Sequence, residues 1–310
     1  MELSLLKEQY EQLSHTGTAF CEYFERECKC LLDDANIAYY ELSFRIKTWD
    51  SIVQKIERKN LSPTSIQEIH DVIGFRIITL FKRDVDTICE IINREFNVLY
   101  FDDKAAEKEA DVFGYLSVHY EISLKDHWMG APTTAKFRGV HAEIQVRTFS
   151  QHVWAASSHL LQYKIEETVP LAMRRNIYRL AAVLEIVDNE LESIRSFRDS
   201  YQSKLKETPD AAQREDFANQ TLDSILLENI LDQHFPSANK KPAEAYDVVL
   251  SEAFACGIKT VGQLEKLLMD QKDYINKKEQ ARITEHGYPF YSFIGLLRIA
   301  LSQERKKRIL

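Results

Sequence analysis

From Val140 to Arg147 the chain alternates strictly, Val-His-Ala-Glu-Ile-Gln-Val-Arg, and a period of two commits it to a half-buried strand. Ile144 and Val146 then point to a core, while Glu143, Gln145 and Arg147 share the opposite face. Three polar side chains in a row on one face are either a salt-bridge row at an exposed sheet edge or part of a site, and this segment alone leaves both open. Strand-like runs also cover Val72 to Phe81, Phe96 to Phe101 and Tyr115 to Leu124, with a helical pattern over Val85 to Glu95. Strands interleaved with helices predict an α/β or α+β layer.

Helical periodicity flanks these strands. Leu5 to Asp34 carries apolar residues at helical intervals and no proline, which predicts one or two helices packed beside the core. Thr48 to Lys59 is predicted as a helix whose apolar side holds Trp49, Ile52, Val53 and Ile56, leaving Lys47, Ser51 and Lys55 stacked at four-residue intervals on another face. Helical patterns return over Phe149 to Lys164 and Leu171 to Lys206. Glu207 to Asp216 breaks the period with proline and polar residues and is expected to be a linker. The expected organisation is therefore residues 1–206 as one domain, 207–216 as linker and 217–310 as an all-helical C-terminal module.

Composition narrows the class of function. With 310 residues, 45% hydrophobic and 28% charged, the chain can bury a sizeable core. A formal net charge of -8 argues against a surface coated for generic nucleic-acid binding, though a local basic cleft is compatible with it. No run approaches the ~18 apolar residues of a membrane span, and the N-terminus lacks a signal-peptide pattern, so a cytoplasmic protein without membrane partners is expected. The five cysteines are sparse, and no pair has zinc-knuckle spacing, which points to free thiols in a reducing compartment.

Several residues have spacings that packing does not require. Lys47 and Lys55 could supply point charges to a polyphosphate, with Arg45 and Arg76 adding planar guanidinium groups that stack as well as pair. On spacing alone, a solvated helix face is the plainer reading of the lysines. Asp71, at the start of one strand, and Glu143, on another, could meet as two carboxylates, one for a metal and one for a proton. Tyr115, Ser117 and His119 alternate on one strand and could offer a ring, a hydroxyl and an imidazole to a nucleobase, although a tyrosine at a strand start is often simply packed. His70-Asp71 resembles half of a phosphohydrolase metal pair, but further ligands are missing nearby. The chain also has no Gly-x-x-x-x-Gly-Lys phosphate loop.

In order and content, Arg45-x-Lys47-x-x-x-Ser51-x-x-x-Lys55, Asp71 to Arg76, Gly114-Tyr115-Leu-Ser117-Val-His119, Glu143-Ile-Gln145-Val-Arg147-Thr148 and Gln151 to Lys164 resemble the synthetase domain of the RelA/SpoT family, which makes guanosine tetra- and pentaphosphate. The resemblance covers about Tyr39 to Lys164. It implies a nucleotidyltransferase-like mixed sheet flanked by helices. It also implies Mg²⁺-dependent transfer of the β,γ-pyrophosphate of ATP to the 3′-hydroxyl of GDP or GTP. By the same resemblance, Arg45 and Arg76 sandwich adenine, and Lys47, Ser51 and Lys55 hold the ATP phosphates. Asp71 is a metal ligand, and Glu143 activates the acceptor hydroxyl and shares the metal. Tyr115 stacks on the acceptor base, with His119, Gln145 and Arg147 lining the same cleft.

The residues before Arg45 are too few for the hydrolase domain of the family's long members, so a single-function small synthetase is expected, with a homo-oligomer as its state. Phe113 stands where the family has asparagine, and Leu116 replaces a polar residue. That departure leaves open a toxin-type enzyme acting on tRNA 3′ ends or adenosine nucleotides, with Lys104, Lys108, Lys136, Arg138 and Arg305 to Arg308 as phosphate contacts. A catalytically silent nucleotide sensor is a third reading, against which the retention of Asp71 and Glu143 argues. Dimerisation, regulation through a bound partner and neutralisation of the catalytic half are all open for the helical module.

Overall fold

The computed structural model describes residues 3–103, 117–160, 170–206, 214–239 and 245–309. It divides into two compact units, residues 1–194 and 195–310. The first opens with α1 (Leu3–Asp34), β1 (Tyr39–Ile46) and α2 (Trp49–Lys59). β2 (Ile73–Thr79), α3 (Lys82–Glu95), β3 (Phe96–Asp103) and β4 (Val118–Leu124) follow. The short α4 (Pro132–Ala135) leads to β5 (His141–Thr148), α5 (Phe149–Leu160) and α6 (Leu171–Lys206).

The five strands form one mixed sheet in the order β1-β2-β5-β4-β3. β2 and β5 run parallel, and the other pairs are antiparallel. Register puts Arg45 opposite Gly74, Gly74 opposite Glu143, and Glu143 opposite Glu121. The next row is Ser43, Arg76, Gln145 and His119. Because side chains alternate across a sheet, these two rows stand on one face.

The other face is apolar. Phe75, Ile77, Ile144, Val146, Tyr120 and Ile122 are buried there with Phe20, Phe24 and Cys28 of α1 and Val85, Ile88 and Ile92 of α3. Phe24 sits 4.5 Å from Phe75 and 5.0 Å from Phe96 between ring centroids. β2 is buried at every position except Arg76. Its run of apolar residues is that of a strand covered on both sides, broken once where the site face needs a cation.

α2 forms where the periodicity predicts. Thr48 caps it by accepting from the Ser51 N–H, and Asn60 ends it in the left-handed conformation. Strand β1 was not signalled, since Tyr40 and Phe44 are exposed and blur its alternation.

In the second unit, α7 (Arg214–Asn219), α8 (Ser224–His234), α9 (Tyr246–Ala255), α10 (Val261–Asp270), α11 (Lys272–His286) and α12 (Phe293–Ile309) surround a core that includes Leu226, Leu227, Leu231, Val261, Leu264 and Leu297. The expected all-helical module has this architecture. Asp223 caps α8, and Thr260 with Gln263 forms a capping box on α10. The division between units falls inside α6, ahead of the expected linker, of which residues 207–213 lie outside the described residues. The last turns of α6 join the second unit because Tyr201 packs on its core and donates to Asp223 at 3.0 Å, while Arg198 pairs with Glu228 at 3.1 Å. Among the described residues, no helix is long and apolar enough to cross a membrane.

Candidate active site

The polar sheet face and α2 enclose a cleft of about 1250 Å³ that lies wholly within the first unit. Arg45, Lys47, Ser51, Lys55, Asp71, Arg76, His119, Gln145 and Arg147 all line it. Local chemistry explains how they converge. The Lys47 N–H donates to the Val72 carbonyl at 2.8 Å, and its own carbonyl accepts from Tyr10 at 3.0 Å, so the end of β1 is clamped as the chain turns into α2. The Thr48 cap then sets the first turn of α2 and points Ser51 and Lys55 inward. Lys55 Nζ donates to the His70 carbonyl.

Asp71 has φ +61°, the left-handed conformation that non-glycine residues seldom adopt. That backbone turns its carboxylate toward Lys47 Nζ, 2.5 Å away, and Arg45 Nη2, 3.2 Å from both oxygens. Gly74 leaves room beneath it: a Cβ there would lie 3.0 Å from Asp71 Oδ1 and 3.7 Å from the Arg45 side chain, so a larger residue would push the carboxylate aside.

Glu143 stands on the same face, bonded to His119, whose Nδ1 lies 2.6 Å from Glu143 Oε1. A carboxylate accepts, so His119 Nδ1 donates, and the Ser117 hydroxyl lies 2.7 Å from its Nε2. Burial raises the Glu143 carboxyl, but the His119 hydrogen bond and charge outweigh it, and the group is held well below the ordinary carboxylate range.

Glu121, directly across the strand pair, moves the other way. Burial and then the Glu143 charge push it up to about 7. Arg147 is lowered to about 10 by burial and then by Arg76, and His152 is lowered by burial, Arg76 and Arg147. Lys55 is lowered by burial and by Lys47. Cations crowded until they disfavour one another, with Arg76 Nε, Arg147 Nε and His152 Nδ1 buried and unpaired among the described residues, form an environment suited to a polyanion.

The carboxylates also suit a particular ion. Among the described residues, no group of three or more His, Cys, Asp or Glu side chains converges on a metal position. Magnesium needs only one or two carboxylates, because water and phosphate oxygens complete its shell. Asp71 and Glu143, each held by a different partner on the site side of the sheet, are hard oxygen donors of that kind.

The cleft therefore gathers the expected residues except Glu143, which stands beside it bonded to the lining His119, and Tyr115, which lies outside the described residues, as do Lys104, Lys108 and Phe113; Lys136, Arg138 and Arg305 are not among its lining residues, and Arg138 pairs instead with Asp126. The cleft also contains Gln54 and Arg58, which extend the α2 face and which the spacing did not single out, while His152, Ala155 and Ala156 of α5, from the Gln151 to Lys164 segment, form a wall. For Arg58 the signal was present, since it falls one turn beyond Lys55. Glu121 gave none, because its meaning comes from its register with Glu143.

Residues 44–168 match the family described as a region found in RelA/SpoT proteins. The chain is 28% identical over 154 residues to GTP pyrophosphokinase YwaC of Bacillus subtilis (strain 168), covering 49% of this chain and 71% of that one. It is 28% identical over 153 residues to GTP pyrophosphokinase YjbM of the same organism, covering 49% and 69%. Its fold resembles the crystal structure of small alarmone synthetase 1 from Bacillus subtilis, with TM-score 0.51 and 23% identity over 62% of this chain and 99% of that one. The structure of that synthetase bound to its product pppGpp aligns with TM-score 0.50 and 25% identity over 61% and 97%.

Proposed function

We propose that the chain, whose residues 44–168 match a region found in RelA/SpoT proteins, is an ATP-dependent pyrophosphokinase of the small alarmone synthetase kind, making (p)ppGpp and AMP from ATP and GDP or GTP. The single observation that supports this most is one cleft lined by Arg45, Lys47, Lys55 and Arg76 around the Asp71 carboxylate, with Glu143 next to it on the same sheet face, bonded to the lining His119. The names of the two relatives favour a guanosine acceptor over tRNA or an adenosine nucleotide.

The chemistry follows from charge. Arg45 and Arg76 offer guanidinium planes to the donor base, and Lys47, Ser51 and Lys55 take the ATP phosphates, neutralising charge that would repel a nucleophile. Glu143, ionised across the physiological range, accepts the proton as the acceptor 3′-oxygen bonds to the β-phosphorus. The bond from that phosphorus to the α-phosphate oxygen breaks, and AMP leaves. His119 orients Glu143, and Gln145 and Arg147 hold the acceptor with the ring of Tyr115. Asp71 and Glu143 are the residues that would hold Mg²⁺, which when bound shields phosphate charge.

We place the protein in the cytoplasm, with its nucleotide substrates. We also assign it a homo-oligomeric state, supported by an apolar stripe on α6 in which Leu180, Val183, Val187 and Ile194 are 40%, 49%, 42% and 65% exposed. For the second unit we propose binding of a regulator, since every residue lining the cleft comes from the first.

The test is to supply γ-labelled ATP and Mg²⁺ with GDP, GTP, ADP, AMP or tRNA in separate reactions. Label on GDP or GTP, lost in Glu143→Gln, is expected; label on tRNA or an adenosine nucleotide alone would overturn the acceptor assignment.

A further inference from the structure

One buried acid lies outside this chemistry. Asp188 on α6 is 1% exposed, and its Oδ2 accepts from the Thr148 hydroxyl at 2.6 Å. Its Oδ1 is buried with no hydrogen-bond partner among the described residues. Burial pushes the carboxyl up to about 7, with the Lys82 charge opposing. A carboxyl so placed weakens a fold, and an apolar side chain of similar volume would fill the space without an unpaired oxygen.

What the carboxyl holds is a corner of the cleft. The Thr148 hydroxyl accepts from the Gln151 N–H at 3.1 Å, while Gln151 Oε1 accepts from the Thr148 N–H at 2.8 Å, a reciprocal cap on α5. A hydroxyl has one hydrogen to give, and here it goes to Asp188, which fixes the rotamer of the cap. On one side Thr148 is joined to Arg147; on the other it starts the helix that brings His152, Ala155 and Ala156 to the cleft wall.

We propose that Asp188 is a positioning residue for nucleotide binding. Through Thr148 it holds the first turn of α5, and with it Arg147 and His152, in place against the sheet. The bond also ties the cleft to α6, which runs to Lys206 past the boundary between units at residue 194.

The inference rests on reading the cleft as a nucleotide site, so its test measures binding as well as turnover. Wild type, Asp188→Ala, Asp188→Asn, Thr148→Val and the Asp188→Ala/Thr148→Val pair are titrated with GDP, the acceptor assigned to Arg147, in the presence of a non-hydrolysable ATP analogue, and assayed for kcat and for KM of GDP, each below its own melting temperature. Asp188→Ala and Thr148→Val should each weaken GDP binding and raise its KM about tenfold, with kcat changed less than about threefold. The double variant should be no worse than either single one. Asp188→Asn retains an acceptor oxygen and should stay within about twofold of wild type. Wild-type affinity in Asp188→Ala, additive losses in the double variant, or Asn as damaging as Ala would each overturn the proposal. A wild type that binds GDP but moves no pyrophosphate would sink the transfer reading alone.

Discussion

Replacing His119 with alanine removes the 2.6 Å bond to Glu143, whose side chain is 13% exposed. A hydrogen bond to a charged group at such a site contributes about 1.5–3 kcal/mol. One pKa unit corresponds to about 1.36 kcal/mol, so the Glu143 carboxyl should rise by about 1–2 units. Burial continues to push it upward, as it does Glu121 across the strand pair. The ionised form is the proton acceptor. Activity in His119→Ala should therefore persist at high pH and fall as pH drops through the raised pKa, moving the acid limb of the kcat/KM profile up by about 1–2 units. Stability follows the same linkage. A depressed folded-state pKa stabilises above the unfolded value and loses that contribution as pH falls through the folded one, so the variant should also lose less stability on acidification. The assay is pyrophosphate transfer measured from about pH 3 upward, because Glu143, held at about 2 in the wild type, should titrate at about 3–4 in the variant. A profile lowered uniformly at every pH would refute the reasoning, because His119 would then act by touching substrate rather than through Glu143.

Other consequences are more local. Gly74→Ala should lower kcat/KM by about tenfold with melting temperature nearly unchanged, because the new Cβ displaces the Asp71 carboxylate while the strand tolerates alanine. Asp71→Asn should keep the fold, since asparagine accepts the left-handed backbone, yet reduce turnover by about a hundredfold or more; Asp71→Ala should cost about 1–2 kcal/mol of additional stability in chemical denaturation. Phe24→Ala, at a position 1% exposed among Phe20, Phe75 and Phe96, should destabilise the first unit by about 3–5 kcal/mol in the same assay.

Different parts of this molecule were legible in the sequence to different degrees, for physical reasons. The alternation over Glu143, Gln145 and Arg147 specified a strand and its polar face, because one side of that strand is buried and a slip of one residue would reverse every side chain. Thr48 and the four-residue spacing of Lys47, Ser51 and Lys55 specified α2, because a cap and a helical face are local properties. Glu121 was invisible, since Tyr120-Glu-Ile-Ser is an ordinary alternating strand until its register sets Glu121 against Glu143. The left-handed backbone of Asp71 gave no signal either, as nothing in Ile69-His-Asp-Val requires it. Asp188 looks like one of many charges on the outside of a long helix, and only the packing of α6 against Thr148 shows that it is buried.

The central claim is that a pyrophosphoryl group moves as a unit. The most direct test resolves the nucleotides formed from ATP and GDP by anion exchange and weighs them by mass spectrometry. AMP and a guanosine product heavier by two phosphates, formed in equal amounts, is the predicted result. ADP with a product heavier by one phosphate, or ATP consumed without any change in the guanosine nucleotide, would contradict it.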